Sequence, residues 1–428
     1  MKPLNTLIVG GGGREHALAW AVSKSKLCGN LFLAPGNGGT VDLATHLSID
    51  VGDSGDVLQA IEQNKIDFTI IGPEQPLVDG LADDLRKAGH VVFGPGKKAA
   101  QLEGSKAFAK SVMDSAGVPT AGWKSFTSRE LSEAKAYAAS QRMPIVIKAD
   151  GLAAGKGVVI CHTASEVDQL FNQIESDHAF GDAASAIVVE EFMEGEEASV
   201  FAITDGENIR LLPPVQDHKR IGDGDTGPNT GGMGAYLPAP VMNDELMETT
   251  QKSIIQPVLN EMNRRGSPYQ GVLYVGLMIT SEGPKVVEFN CRFGDPECQV
   301  LMPAIEEDVL DLLYQAAHSG IENGKVFCTQ DYLSCVIMAS EGYPGAYEKG
   351  KPITGVENVS SKTLVFHSGT KWLKNDMVTA GGRVLAVTGR AKTLEQALEE
   401  TYRSVKKIHF DGAYYRTDIG SKGLIHNR

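Results

Sequence analysis

Residues 144–161 read PIVIKADGLAAGKGVVIC, and the way this stretch folds decides the class of protein. A glycine cluster with a lysine suggests a phosphate-binding P-loop, in which four residues separate the glycines, Ser or Thr follows the lysine and a helix opens behind it. Here three residues separate Gly151 from Gly155, Gly157 follows Lys156, and the next run, GVVIC, has the character of a strand. A P-loop is therefore excluded. What remains is a glycine loop between two antiparallel strands. It is either a plain hairpin whose lysine snorkels to water, or a flap closing over phosphates with backbone donors and Lys156. Lys148 bears on the choice because it ends the apolar run PIVIK. A lysine on the buried side of a strand needs an anionic partner to offset its desolvation. This stretch alone does not separate the two readings.

Upstream, the first hundred residues alternate short apolar runs (LNTLIV, LFLAP, DFTIIG, VVFG) with amphipathic stretches such as REHALAWAVSKS. That pattern predicts a parallel sheet covered on both faces. Ligands of such sheets bind beyond the carboxyl ends of the strands. Here those ends are GGGGREH, APGNGG and GPEQPL, three loops expected to converge on one ligand. The dinucleotide fingerprint G-x-G-x-x-G fails, because its third position falls on Glu15 or His16. The second strand ends in Pro35-Gly36-Asn37 and offers no acid for a ribose diol. The glycines ahead of a helix still let backbone N–H groups approach a phosphate or carboxylate.

Downstream, KVVEFNCRFGDPE (285–297) is the strongest local signal. On a strand, Glu288, Asn290 and Arg292 share one face. Two hard oxygen donors suit Mg²⁺ completed by nucleotide phosphates and water, and Arg292 could stabilise an anion or a developing oxyanion. A salt-bridge ladder is the structural alternative, which the asparagine makes less natural. VVEEFMEGEEAS (188–199) places Glu190, Glu191, Glu196 and Glu197 around a strand end. This is a solvated acidic face, unless the strand end offers backbone groups to an adenine edge. The run from 213 to 234 is nearly all polar or glycine, and a loop of that length is expected to be functional, here a substrate-closing loop.

With 428 residues the chain exceeds one ordinary core, so two to four domains are expected. A net charge of −14 without any basic block excludes nucleic acid and acidic membranes as partners. Anionic substrates would have to be held by helix N-termini, metal ions and a few placed lysines. The opening MKPLNTLIVGGGG reads as a first strand and not a secretory signal, and no apolar run is long enough for a membrane span. Six scattered cysteines without a C-x-x-C pair argue against zinc and disulfides and suit a reducing cytosol.

Taken together, GGREHAL, APGN, LEGSKAF, PIVIKADGLAAGKGV, EEFMEGEEAS, QDHKR, DTGPNTGGMGAY and EFNCRFGDPE resemble the ATP-grasp superfamily and, within it, the glycinamide ribonucleotide synthetases. The resemblance covers essentially the whole chain and suits the stand-alone bacterial form. It implies a multidomain α/β and α+β fold: an N-terminal parallel-sheet domain (1–104), an ATP-grasp fold of two α+β subdomains (105–192, with linking helix 105–121, and 193–327) and a small C-terminal α+β domain (328–428). The implied activity joins glycine to 5-phosphoribosylamine through glycyl phosphate, with ATP converted to ADP and phosphate. The alternative is a sibling ATP-grasp ligase or carboxylase of purine synthesis.

The same resemblance assigns roles. Lys106 and Lys148 would hold the ATP phosphates beneath a flap including Gly155, Lys156 and Gly157. Glu190, Glu191, Phe192 and Met193 would meet adenine, and Glu197 the ribose. Glu288 and Asn290 would bind Mg²⁺ or Mn²⁺, with Arg292 and Lys148 catalytic. Substrate would rest on Gly12, Gly13, Asn37, Glu74, Asp217, Lys219, Arg220, Asn229, Gly231, Gly232 and Arg292. A cytoplasmic monomer, or a weak dimer, would act on small molecules only.

Overall fold

The computed structural model describes residues 2–152, 157–177 and 186–426. The N-terminal strands form a parallel sheet in the order Thr45–His46, Cys28–Pro35, Leu4–Gly10, Phe68–Ile71, Val91–Phe93. Leu7, Ile8 and Val9 are all fully buried, as continuous apolar runs must be when both faces of a sheet are covered. The strand order reverses beside Leu4–Gly10, so the loops at that end open a crevice. All three glycine-rich loops meet there. Gly36 N donates to Gly10 O at 3.2 Å and Gly72 N to Val9 O at 3.1 Å. A Cβ added at Gly11 would lie 2.5 Å from the Gly36 carbonyl oxygen, so the close approach of the first two loops requires glycine.

Next comes a four-stranded antiparallel sheet in the order Trp123–Thr127, Ala186–Glu191, Ile145–Ala149, Val158–Cys161. Its register runs from Ile145 opposite Cys161 to Lys148 opposite Val158. The glycine stretch thus joins two antiparallel strands, and no helix follows it. Helices Leu131–Ser140 and Ala164–Asp177 pack around a core that includes Phe126, Ile147, Phe171 and Val189. A second sheet is ordered Gly283–Asn290, Gly271–Thr280, Glu196–Thr204, Ile209–Leu211, Gly324–Lys325.

The structure corrects the expected loop over 213–234. Within it lie strands Gln216–Asp217, Arg220–Gly222 and Thr226–Asn229, and strand Gly234–Leu237 follows directly. Gln216–Asp217 and Gly234–Leu237 join the C-terminal sheet beside Tyr332–Ser340, Arg383–Ala391 and Thr363–His367. That sheet therefore draws strands from both sides of residue 328. Polarity disguised these strands because their partners come from far along the chain. Arg416, 1% exposed, binds Asp225 at 2.8 Å and Asp418 at 2.7 Å and ties the outer hairpin to the C-terminal segment.

Gly11→Ala should destabilise the fold by about 1–3 kcal/mol, the usual cost of overpacking, read as a lower midpoint in urea unfolding. An unchanged midpoint would contradict the close-approach account.

Candidate active site

The anionic partner that Lys148 requires is Glu190 on the neighbouring strand. Lys148 is 5% exposed; its Nζ lies 3.0 Å from Glu190 Oε1 and donates to the Val287 carbonyl at 3.1 Å. The other carboxylate oxygen of Glu190 lies 3.0 Å from Lys110 Nζ, which also donates to Thr120 Oγ1 at 2.8 Å. Lys110 was not foreseen. It sits one turn beyond Lys106 on helix Lys106–Ala116, and that i, i+4 spacing was the available signal. Burial depresses the Lys110 ammonium to about 8 even though Glu190 favours its charge. Lys106 donates to the Gly151 carbonyl at 3.1 Å; burial lowers its pKa too, opposed chiefly by Glu288. Lys148 and Lys110 thus share one carboxylate, and Lys106 lies beside Lys148 and Glu288, a local cluster of cations suited to a polyanion.

Glu288 and Asn290 share a face by simple alternation, immediately after a β-bulge. Gly276 pairs with Glu288 but Leu277 pairs with Val286, which leaves Val287 extra. The bulge keeps Val286 in the core with Phe289 and Cys291 while Glu288, Asn290 and Arg292 take the other side. It also frees the Val287 carbonyl that Lys148 reaches. Burial alone would raise the Glu288 carboxyl, but Lys219, Lys148, Lys106 and Arg292 together hold it below its usual value. Its carboxylate has no hydrogen-bond donor among the described residues. An ionised carboxylate beside an amide oxygen is a donor set that fits Mg²⁺ or Mn²⁺. Among the described residues no three His, Cys, Asp or Glu side chains gather into a metal-binding group, so phosphates and water would complete the coordination.

Arg292 joins this row to the N-terminal loops. Its Nε lies 3.2 Å from Glu74 Oε2, one terminal nitrogen 2.7 Å from Glu103 Oε1 and 3.3 Å from Asn290 Oδ1. The remaining terminal nitrogen makes one long contact, 3.4 Å to the Phe293 carbonyl. Burial disfavours the guanidinium charge, yet Glu103 and Glu74 raise its pKa. Burial would raise Glu74, but Arg292 and Arg14 bring it down to about 2. Glu103, on helix Lys97–Gly104, also accepts from Cys291 N at 2.7 Å; no local pattern in the sequence marks it. Arg14 continues the chain, its Nε 2.6 Å from Glu15 Oε1, while Gly12 N donates to Glu15 Oε2 at 2.7 Å.

Asn37 is redirected by the structure. Its Nδ2 donates to Gly11 O at 2.9 Å and His367 O at 2.7 Å, and its Oδ1 accepts from Gly39 N at 2.9 Å. The side chain is consumed in clamping the glycine loop to the C-terminal region and has no hydrogen left for a ligand. Gly12 and Gly13 stay at the start of helix Gly13–Val22; a Cβ on Gly13 would collide with Ser368 Oγ.

Lys219 lies 2.7 Å from Glu197 Oε2. Burial works against its charge, but Glu197 and Asp217 hold its pKa well above normal. Gly232, at φ +112°, passes so close to Pro296 that a Cβ would lie 2.5 Å from its Cδ. Arg383 donates to Gly231 O at 2.6 Å and Asp295 O at 2.6 Å, which pins this turn against the end of the row. Arg220 and Asn229 instead pair with each other across the outer hairpin, and Arg220 donates to Gly227 O at 2.8 Å. Among the described residues no hydrogen bond joins either side chain to the row. The 192–194 link leaves the Phe192 and Met193 amides without partners among the described residues. Glu191 accepts from Gly122 N at 3.2 Å. Gly155 and Lys156 lie outside the described residues; Gly157 O accepts from Ala149 N at 2.7 Å.

Glu190→Gln should cost about 3–5 kcal/mol, as expected when a buried ion cluster loses one partner. Adding Lys110→Met should recover at least half of that loss in urea unfolding. Simple addition of two losses would contradict a shared carboxylate.

The family models of phosphoribosylglycinamide synthetase match residues 4–103 (N domain), 104–298 (ATP-grasp (A) domain) and 333–422 (C domain). A phosphoribosylamine–glycine ligase of Agrobacterium fabrum is 47% identical over 99% of this chain and 100% of its own length. The trifunctional purine biosynthetic protein adenosine-3 of Homo sapiens is 45% identical over 98% of this chain and 42% of its own. The crystal structure of a phosphoribosylamine–glycine ligase from Thermotoga maritima superposes with a TM-score of 0.85 at 34% identity, covering 97% of this chain and 100% of that one. A biotin carboxylase domain from Hydrogenobacter thermophilus, solved with MgADP, shares the fold at 16% identity and a TM-score of 0.74, over 100% of this chain and 95% of that one. Strand pairing, charged row and full-length similarity agree: the chain belongs to the phosphoribosylglycinamide synthetase family of ATP-grasp ligases.

Proposed function

We propose that this chain is an ATP-dependent ligase of purine biosynthesis that joins glycine to 5-phosphoribosylamine, giving glycinamide ribonucleotide, ADP and phosphate through glycyl phosphate. The observation that carries the reading is the Glu288–Asn290–Arg292 row, with the buried lysines on one side and the glycine-rich loops on the other. A phosphoryl donor and an amine acceptor can meet across it.

A carboxylate is a poor acyl donor because oxide is a hopeless leaving group. The glycine carboxylate therefore attacks the γ-phosphate, and the amine then displaces phosphate from the acyl carbon. Phosphoryl transfer needs positioning and charge neutralisation above all. Lys106 and Lys148 hold the phosphates, the free amides of Phe192 and Met193 meet the adenine edge, and Glu197 is placed for the ribose. Mg²⁺ or Mn²⁺ on Glu288 and Asn290 would neutralise phosphate charge when bound. Arg292, with one terminal nitrogen unengaged by any short contact, faces the acyl oxygen as it gains charge. Gly12, Gly13 and Glu74, together with Asp217, Lys219, Gly231 and Gly232, receive the phosphoribosylamine. The loop containing Gly155 and Lys156 shields the acyl phosphate from water, a general role of lids. We place the chain in the cytoplasm as a monomer; its six free cysteines suit a reducing compartment, and no helix among the described residues is long and apolar enough to cross a membrane.

Incubation with ATP, Mg²⁺, glycine and fresh phosphoribosylamine, each omitted in turn, should show ADP formation that requires glycine. ADP formation indifferent to glycine would sink the proposal. Glu288→Gln and Lys148→Ala should each lower kcat/KM by about 100-fold or more, the scale seen when one aligned electrostatic group is lost. Near-normal activity in either folded variant would remove its role.

A further inference from the structure

Ligation leaves one proton to place. The amine nitrogen bonds to the acyl carbon, the C–O bond to phosphate breaks and phosphate leaves with that electron pair. The nitrogen must then shed a proton. Lys106, Lys148 and Arg292 serve as charged donors and cannot accept it.

Two buried acids lie near Lys219, at the arginine end of the row. Asp217, on the short strand Gln216–Asp217, is 8% exposed, and Glu297, in the turn before helix Cys298–Ala304, is 3% exposed. Glu297 is held by a relay: Ser199 Oγ donates to Tyr274 Oη at 2.8 Å, and Tyr274 Oη donates to Glu297 Oε1 at 2.9 Å. The Asp217 carboxylate has no hydrogen-bond donor among the described residues, which leaves its oxygens able to accept a proton. Alternation along the ribbon turns His218 the opposite way, where its Nε2 accepts from Gly420 N at 3.0 Å. Asp217 and Lys219 are left on the other side. The charged and titratable groups around Asp217 are Lys219 and His218 on its own ribbon, Glu197, Glu297, and the hydroxyls of Tyr274 and Tyr236. Glu297 in turn feels Lys219 and Arg292, so the pair borders the arginine end of the row.

We propose that Asp217, backed by Glu297, is the proton acceptor of the ligation step, taking one amine proton as the nitrogen–carbon bond forms and later releasing it to solvent. Tyr274 is a positioning residue, fixing Glu297 where its charge bears on Asp217. Two carboxylates in one buried site cannot both ionise freely. Burial raises Asp217, with Lys219 opposing and Glu297 and Glu197 adding. Burial likewise raises Glu297 against its bond from Tyr274 and the charges of Lys219 and Arg292. A carboxyl raised toward neutrality is matched to a general base at working pH.

The inference rests on the glycyl phosphate reading, and the test separates the two. Full-length wild type, Asp217→Asn and Glu297→Gln are assayed with glycine and ATP against two nucleophiles, phosphoribosylamine and hydroxylamine. Hydroxylamine is a weaker base whose adduct loses its proton to water without assistance. Asp217→Asn should lower the ratio of ligation to glycine hydroxamate formation by about 100-fold or more, the lower range for general-base loss. An equal fall in both activities, or a KM for glycine or for phosphoribosylamine that rises in proportion, would overturn it and make the pair a binding pocket for the substrate amine. Glu297→Gln relieves like-charge repulsion, so the acidic limb of the kcat profile should move to lower pH. An unmoved limb would overturn the pairing, and this variant alone decides if Asp217→Asn does not fold. Absence of glycine-dependent hydroxamate from wild type would sink the acyl-phosphate reading itself, and this inference with it.

Discussion

The architecture depends on one half-buried guanidinium. Arg292 binds Glu103, Glu74 and Asn290 at once, and these belong to three separate stretches of chain. Desolvating a guanidinium costs several kcal/mol, a cost that a single exposed pair could not offset. Two carboxylates offset it here, and through Glu74 the pairing extends by Arg14 and Glu15 to the Gly12 amide. The substrate loops are thereby held in register with the row that would carry the chemistry. Arg292 also keeps donors in reserve, since one of its terminal nitrogens has only a 3.4 Å contact.

The second constraint is electrostatic. A chain of net charge −14 repels ATP and a sugar phosphate at long range. The site reverses that sign locally. Lys110 and Lys148 share the carboxylate of Glu190, while Lys106, Lys219 and Arg292 add charge around Glu288. Because Lys110 and Lys148 are buried, salt screens them far less than it screens the surface. Binding polyanions then relies on the cluster and not on the overall field.

Much of this was legible in the sequence because it followed short periods. The parallel sheet showed in runs such as LNTLIV and DFTIIG, and the row of Glu288, Asn290 and Arg292 in alternation. The exclusion of a P-loop came from the spacing of three residues between Gly151 and Gly155. Contacts between distant segments carry no such period. Glu103 meets Arg292 across 189 positions, and nothing near Glu103 announces it. The resemblance assigned Asn37 to the substrate, yet a carbonyl from position 367 occupies its amide. The ribbon over 216–237 read as loop because its sheet partner begins at Tyr332. Lys110 is an intermediate case: its spacing from Lys106 was visible, but only the fold shows that it shares Glu190 with Lys148.

The central claim is that carboxylate oxygen of glycine attacks the γ-phosphate before any amine acts. Glycine labelled with ¹⁸O in its carboxylate tests this directly, by mass analysis of the phosphate released during ligation in unlabelled water. The account predicts that each phosphate carries one oxygen from glycine. Phosphate free of the label would contradict it.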